Sequence, residues 1–140
     1  MKKLYFFSAL LIVTLLVTGC GSSKRIVCSQ KVSIVDVDMI IDYENDKLSA
    51  MGLKYTMDLG DYTDEQINQV TSQNLCSSVQ AAMNAYSDAF TNCKQNMEGK
   101  KLVITADFVL EKLPGYQNGV NEKMEDAIKG LEAQGYKCTK

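Results

Sequence analysis

Two consecutive stretches of the chain alternate between apolar and polar residues with a period of two. In residues 35–43 and again in residues 51–59, apolar side chains occupy nearly every second position. Turn-forming residues at 44–47 separate the two stretches. Because successive side chains of a β-strand point to opposite faces, this pattern predicts a hairpin with one buried face. The other face of the sheet is expected to be partly wet.

A helix is expected directly after this hairpin. Thr63 and Gln66 fit a capping box, in which each residue bonds the backbone of the other. Apolar residues then recur at roughly helical spacing from Ile67 onwards. These features predict a helix from Asp64 to about Tyr86 with a polar outer face.

A second hairpin and a second helix complete the pattern. Residues 90–97 and 101–109 predict two further strands. A last helix is expected from about Asn121 to Gln134, with Gly135 at the position of a C-terminal cap. Residues 26–32 fit either a further short strand or the start of the first one. The order predicts an α+β fold: one antiparallel sheet of two hairpins (ββαββα), with two helices packed on one face.

The N-terminus has the features of a bacterial secretion signal. Lys2 and Lys3 precede an almost wholly apolar run over residues 4–17, and the segment ends in Leu16-Val17-Thr18-Gly19-Cys20. The apolar run is short for a membrane span and suits the core of a signal peptide. The ending is similar to a lipobox, whose small residues admit the peptidase and whose cysteine accepts diacylglycerol. Cleavage elsewhere, or a chance cysteine after a marginal helix, is the alternative.

The predicted domain organisation follows from this signal. Residues 1–19 are expected to be the lipoprotein signal peptide, residues 20–25 the lipidated Cys20 with a short tether, and residues 26–140 a single α+β domain. Several acyl chains, palmitate among them, on one cysteine suffice for stable anchoring. The sequence therefore predicts a protein held on the cell membrane by its lipid and facing the extracytoplasmic side.

Composition excludes several kinds of chemistry. The chain has no histidine, which removes serine–histidine and cysteine–histidine nucleophilic sites and the commonest general base. Of 15 Lys and Arg residues, two lie in the predicted signal, so 13 oppose 17 Asp and Glu in the remainder. A net charge of about −4 argues against nucleic acid as a partner. No cofactor is predicted.

Carboxylates form the clearest polar pattern. Asp36, Asp38 and Asp42 share one face of the first predicted strand, and Glu44 follows them. One interpretation is a site for Ca²⁺ or another cationic ligand. The other is a solvated sheet face that discourages pairing with foreign strands. The chain has no D-x-[DN]-x-[DN]-G loop, which favours the solvated face. The methionines lie mostly at predicted core positions, so core filling is preferred to soft-metal binding.

Four cysteines remain after the lipidated one, at Cys28, Cys76, Cys93 and Cys138. An even number in an exported chain predicts two disulfides, the alternatives being free buried thiols or a metal site. The spacing matches neither the close cysteine pairs of a zinc site nor the C-x-x-C of a redox site. Structural bridges are therefore preferred.

Chain geometry selects one pairing of these cysteines. A helix would climb about 15 Å from Cys76 to its end, and the next strand would return about 10 Å to Cys93. The two sulfurs can then meet between helix and sheet. Cys28 and Cys138 remain as the second pair, which would join the first strand to the end of the chain.

Several segments together resemble the small YehR-like bacterial lipoproteins. They are the lipobox, Ile26-Val27-Cys28, and the segments 43–48, 99–104 and 131–138. The resemblance covers nearly the whole chain after the signal, but it does not extend to Cys76 and Cys93. It implies an α+β lipoprotein domain, and it implies no activity and no catalytic residues.

The sequence thus favours a non-catalytic lipoprotein of the cell envelope that acts as a binding or interaction module. Its predicted contacts are the membrane, through the lipid on Cys20, and a protein or small-ligand partner. Two alternatives are an acidic lipoprotein that binds Ca²⁺ or a cationic ligand and a carboxylate-based envelope hydrolase. The hydrolase would need paired carboxylates at a defined separation in a cleft.

Overall fold

The protein is described here by a computed structural model covering residues 23–114, 116 and 123–139. The predicted signal peptide, Cys20 and Asn121 lie outside these residues. Six strands form one antiparallel sheet in the order β4-β5-β3-β2-β1-β6. The strands are β1 (Ser23–Val32), β2 (Val35–Glu44), β3 (Lys47–Asp58), β4 (Phe90–Glu98), β5 (Lys101–Phe108) and β6 (Lys137–Thr139). The α-helices are α1 (Asp64–Thr71), α2 (Leu75–Ala82) and α3 (Met124–Ala133).

The predicted ββαββα order is wrong, and with it the fold class of two hairpins and two helices. β1 is a full ten-residue strand that pairs with β2 along its whole length, from Ser23 opposite Glu44 to Val32 opposite Val35. It begins inside the segment for which a tether was predicted. A three-stranded meander therefore precedes the first helix, and β6 adds a sixth strand at the edge. The domain is mostly an antiparallel sheet with three short helices.

β1 lacks a clear sequence signal because two of its inward positions, Cys28 and Gln30, are not aliphatic. Ile26 and Cys28 are buried against the helices, whereas Gln30 occupies the next inward position. The Gln30 amide donates to the backbone carbonyl of Gln134, 3.2 Å away, beyond the end of α3. The strand is thus defined by its partners in space, which the period of its own residues does not reveal.

The single helix predicted from Asp64 to Tyr86 is also wrong, because it breaks into α1, α2 and a 3₁₀ turn. The predicted capping box is present, with Thr63 and Gln66 each bonding the backbone of the other. At the far end of α1, the Ser72 hydroxyl donates to the carbonyl of Gln69. Such local side-chain bonds compete with continued helix. Asn74 then caps the next helix by accepting from the Ser77 amide.

The core lies between the sheet and the helices, and three inward residues of β2 belong to it. Val37, Ile41 and Tyr43 are buried on the face covered by α2 and α3. One cluster lies beneath α2 and contains the edge-to-face pair Phe90 and Phe108, with ring centroids 6.0 Å apart. Within the described part of the chain, no polar or charged side chain is buried. The core is therefore held together chiefly by apolar contact, with the Cys28–Cys138 disulfide in one of its two clusters.

Both disulfides have the predicted pairing. Cys28 and Cys138 are directly opposite each other in β1 and β6, 110 residues apart in sequence. Cys76 and Cys93 join α2 to β4 across 17 residues. The first bridge fixes the short edge strand, and the second fixes a helix on the sheet. Each thus secures an element that has few other contacts.

Gly135 turns the chain from α3 into β6. Its φ is +94°, and its N–H and that of Tyr136 donate to the carbonyls of Glu132 and Leu131. This is the bonding of a Schellman cap, which requires a left-handed residue. The predicted capping role of Gly135 is confirmed.

Candidate functional site

The face of the sheet turned away from the helices, termed the open face, carries the predicted aspartates. Arg25 on β1 donates two hydrogen bonds to Asp42 on β2, at 2.7 and 2.9 Å. Hydrogen bonding from Arg25 lowers the pKa of Asp42, and partial burial of the carboxylate opposes this effect. The same contact raises the pKa of Arg25. Asp42 is therefore already occupied by a cation of the chain itself.

The other two aspartates of the open face adjoin a broad depression. The Ser29 hydroxyl donates to Asp38 at 2.6 Å. Asp36 is opposite Lys31 in the strand register. All four residues line a cavity of about 630 Å³, together with Lys137 on β6. Two ammonium groups thus accompany two carboxylates in the same depression.

This balance of charges favours a solvated face over a cation site. A Ca²⁺ ion takes six to eight oxygen ligands, usually with an excess of carboxylates. Across residues 23–114, 116 and 123–139, no three His, Cys, Asp or Glu residues are grouped so that they could hold a metal ion. The open face instead carries both signs of charge on neighbouring strands, with one ion pair, Arg25–Asp42, among the described residues.

On the other side, the helices are too short to cover the sheet. Six strands span about 24 Å across the sheet, and α1 and α2 are each only about 12 Å long. The part of β2 and β3 that lies towards the β1–β2 turn therefore remains half exposed. A cavity of about 320 Å³ opens there, between α2 and the sheet. We term it the distal groove; it is lined chiefly by Val35, Tyr55, Met57, Leu75, Val79 and Leu102.

An apolar row leads across this end of the sheet. The strand registers place Val32 opposite Val35, Val35 opposite Met57, Met57 opposite Leu102, and Leu102 opposite Met97. The row therefore crosses five strands and is about 19 Å long. Its two ends are exposed, Val32 by 55% and Met97 by 38%, but Leu102 between Met57 and Met97 is only 1% exposed, so the row is not a continuous open surface.

Further apolar surface adjoins the row. Ile34, in the turn between β1 and β2, is 39% exposed. Single exposed apolar residues are normal, and this small group is of interest because it adjoins an apolar cavity, which makes the region a candidate interaction site. The sequence pattern assigned Tyr55 and Met57 to the core, since they alternate correctly with polar residues. They do face the helices, but the helices stop short of covering them, so the sequence missed this site.

Tyr55 provides a polar group at the boundary of the distal groove. Burial raises the pKa of its hydroxyl, and nearby Tyr136 adds to the effect. The phenol is therefore neutral at physiological pH. A neutral phenol beside apolar walls suits a ligand with one hydrogen-bonding group and an apolar body.

A second cleft lies at the opposite end of the covered face. Its volume is about 310 Å³, and it is lined by residues of β2, β3 and α3 together with Tyr86. Tyr43, which lines this cleft, is opposite Lys24, one residue after the start of β1. This cleft is therefore close to the point where the predicted anchor enters the domain.

Comparison with known proteins identifies no relative. No family model, no curated protein and no solved structure matches the chain. Among the described residues there is also no helix that is long and apolar enough to cross a membrane. The resemblance to YehR-like lipoproteins thus stays a prediction from the sequence.

Proposed function

We propose that this chain is an exported, lipid-anchored and non-catalytic binding module of the cell envelope. The observation that carries the proposal is the position of the apolar surface relative to the predicted anchor. β1 begins at Ser23, three residues after Cys20, and ends at Val32 beside the apolar row. Its nine steps separate the two ends by about 30 Å.

A lipid on Cys20 would therefore hold one end of β1 at the membrane and direct the other end away from it. The tether allows Cys20 to lie no more than about 11 Å from Ser23. The distal groove would face the aqueous space, where a partner can reach it. A surface meant for the anchoring membrane itself would lie at the other end.

The disulfides support the assignment to an oxidising compartment. Cys28–Cys138 and Cys76–Cys93 use all four cysteines that remain after Cys20. Such bridges persist outside the cytosol and are rare inside it. The bridges fit all three candidate functions, since each is exported; the exposed apolar surface favours a binding domain over the two alternatives. The hydrolase would depend on open-face carboxylates, of which Asp42 is already paired with Arg25.

Metabolic labelling with a fatty acid tests the anchor. The wild-type chain and a Ser22→Ala control should take up label and fractionate with membranes. Cys20→Ala should take up none and should accumulate as an unprocessed precursor. Undiminished acylation of Cys20→Ala would refute the lipid anchor.

Photo-crosslinking in intact cells tests the orientation. A photoreactive residue at Lys47, the first residue of β3 and close to the start of β1, should crosslink to phospholipid. The same residue at Val32 should not. Equal lipid crosslinking at both positions would show that the domain lies flat on the membrane and would remove the basis for the proposal.

A further inference from the structure

We propose that a cleft beside α3 binds one acyl chain of the lipid on Cys20. This is the cleft of about 310 Å³ at the end of the covered face where β1 begins, and we term it the proximal cleft. The inference rests on the proposed function in one respect, namely that Cys20 is lipidated. It adds a binding site for that lipid on the domain itself.

The walls of the proximal cleft suit an uncharged, apolar ligand. None of the described residues that line it is Asp, Glu, Lys or Arg. The depression on the open face, by contrast, is lined by two lysines and two aspartates. The charges at the neighbouring strand ends are of both signs and do not line the cleft; they belong to Lys24, Glu44, Asp46 and Lys47. Binding in the cleft therefore depends on apolar contact.

The free space beside α3 has the dimensions of most of an acyl chain. An apolar cavity of about 150 Å³ holds one benzene molecule, which has six carbons. At about 310 Å³, the proximal cleft therefore has room for about twelve carbons. From Ala127 to Gln134 it extends about 10 Å along the helix. An acyl chain spans half of a hydrocarbon core of about 30 Å, or about 15 Å.

Gly130 keeps this space open. A Cβ built on Gly130 would meet nothing within 4 Å. Glycine is unfavourable inside a helix, and Gly130 is not among the described glycines with positive φ, so the backbone does not require it there. The consequence of glycine at this position is an empty volume in the wall of the cleft.

The proximal cleft begins close to the point where the lipid joins the domain. Lys24, the second residue of β1, is directly opposite Tyr43, which lines the cleft. Neighbouring strands are about 5 Å apart, and the tether holds Cys20 within about 11 Å of Ser23. An acyl chain of about 15 Å can therefore reach from Cys20 into the cleft.

The cleft also leads away from the anchor. Tyr43 lies at the end nearest Ser23, and Gln134 lies at the other end. The backbone carbonyl of Gln134 accepts a hydrogen bond from the Gln30 amide at 3.2 Å, and Gln30 is seven residues beyond Ser23 along β1. An acyl chain that enters from Cys20 would lie along α3 with its methyl end away from the membrane.

Covalent attachment favours the protein's own lipid over a membrane phospholipid. A phospholipid has to leave the plane of its leaflet, whereas the chain on Cys20 enters by an intramolecular step at a high effective concentration. Bilayer and cleft are both apolar, so the net gain is the apolar wall that becomes covered, including Tyr86, which is 49% exposed. The remaining chains of the lipid stay in the bilayer, where two are enough for stable anchoring.

Intramolecular photo-crosslinking in intact cells tests the proposal. Cells that express the full chain are fed a fatty acid with a diazirine near its methyl end, which enters both the lipid on Cys20 and the phospholipids. After irradiation, the protein is digested with trypsin and its peptides are identified by mass spectrometry. The lipopeptide of residues 20–24 should be joined to the peptide of residues 130–137, which carries part of the α3 wall.

Variants around the cleft locate the bound acyl chain. Gly130→Trp fills the cleft from an open position and should reduce the crosslink at least tenfold, with acylation of Cys20 unchanged. Glu132→Trp adds the same side chain at an exposed position of α3 that does not line the cleft, and it should change the crosslink less than twofold. Tyr86→Ala removes one wall and should reduce the crosslink at least threefold. If Gly130→Trp fails to fold by circular dichroism, Tyr86→Ala still decides the matter.

Several results would overturn the inference. They are an acylated Cys20 with no link between the two peptides, an equal link in Gly130→Trp and the wild type, a phospholipid joined to residues 130–137 in place of the lipopeptide, and a link that forms only between isotopically heavy and light copies of the chain. The last two results would assign the cleft to membrane phospholipid or to the lipid of a second copy. Because acylation of Cys20 is measured in the same samples, failure of the crosslink alone leaves the lipid anchor standing, whereas absence of acylation refutes the proposed function itself.

Discussion

Removal of the Cys28–Cys138 bridge should destabilise the domain more than removal of the Cys76–Cys93 bridge. The perturbations are the paired substitutions Cys28→Ala with Cys138→Ala, and Cys76→Ala with Cys93→Ala. The first bridge closes a loop of 110 residues and the second a loop of 17. Their effects on the unfolded chain can be compared directly.

The chain-entropy relation gives the magnitudes. A crosslink that spans 110 residues stabilises by about 4.8 kcal/mol at 25 °C, and one that spans 17 residues by about 3.1 kcal/mol. The structure adds to the difference in the same direction. β6 has only three residues and pairs with β1 alone, so its attachment depends on the bridge. At about 4 °C per kcal/mol, the two double variants should melt about 19 °C and about 12 °C below the parent.

Urea unfolding of residues 21–140, without signal or lipid, measures both losses under identical conditions. Non-reducing peptide mapping of the parent confirms the two bridges first. The reasoning would be refuted if the Cys76–Cys93 variant lost as much stability as the other. Recovery of Cys28 linked to Cys76 or Cys93 would refute the pairing itself.

Three further predictions concern single sites. Arg25→Ala should raise the pKa of Asp42 towards its ordinary value, and NMR titration of the carboxyl carbon measures this change. Because the folded pKa of Asp42 is lowered, its contribution to stability is present above the unfolded pKa of about 4. That contribution is lost as the pH falls through the folded pKa. An unchanged pKa would contradict the Arg25–Asp42 contact. Millimolar Ca²⁺ should barely move the melting temperature, whereas a site at 100 times its Kd would add about 2.7 kcal/mol; a large shift that Mg²⁺ does not reproduce would establish a calcium site. Gly135→Ala should destabilise by about 1 kcal/mol or more, since φ is +94° and the new Cβ would lie 3.0 Å from the Gln30 amide nitrogen. Gly130→Ala in α3, with nothing within 4 Å of its Cβ, is the matched control and should stabilise by about 0.5–1 kcal/mol; equal effects of the two substitutions in urea unfolding would contradict the capping argument.

Local signals in the sequence determined the parts of the fold that depend on neighbouring residues. The alternation over residues 35–43 correctly placed Val37 and Ile41 on the buried face, because the period of a strand is fixed by its own geometry. The capping box at Thr63 and the cap at Gly135 were equally predictable, since each is a contact between residues close in sequence. The disulfide pairing was predicted correctly from a helix drawn to Tyr86, although the helix that carries Cys76 ends at Ala82, and Cys28–Cys138 followed by elimination.

Only the tertiary structure decided which strands exist at the edges and which surfaces remain uncovered. β1 and β6 carry weak patterns and are strands because of the partners they pair with: β1 pairs with β2 along its whole length, and β6 pairs with β1 from far away in sequence, Cys28 opposite Cys138. Met57 has the same pattern whether or not a helix covers it, because alternation reports the face of a strand and not its neighbours. Helix length was set by hydroxyl and amide bonds around Ser72 and Asn74, and this shortening leaves the groove open. Burial depends on what packs opposite a residue, and that is a property of the whole chain.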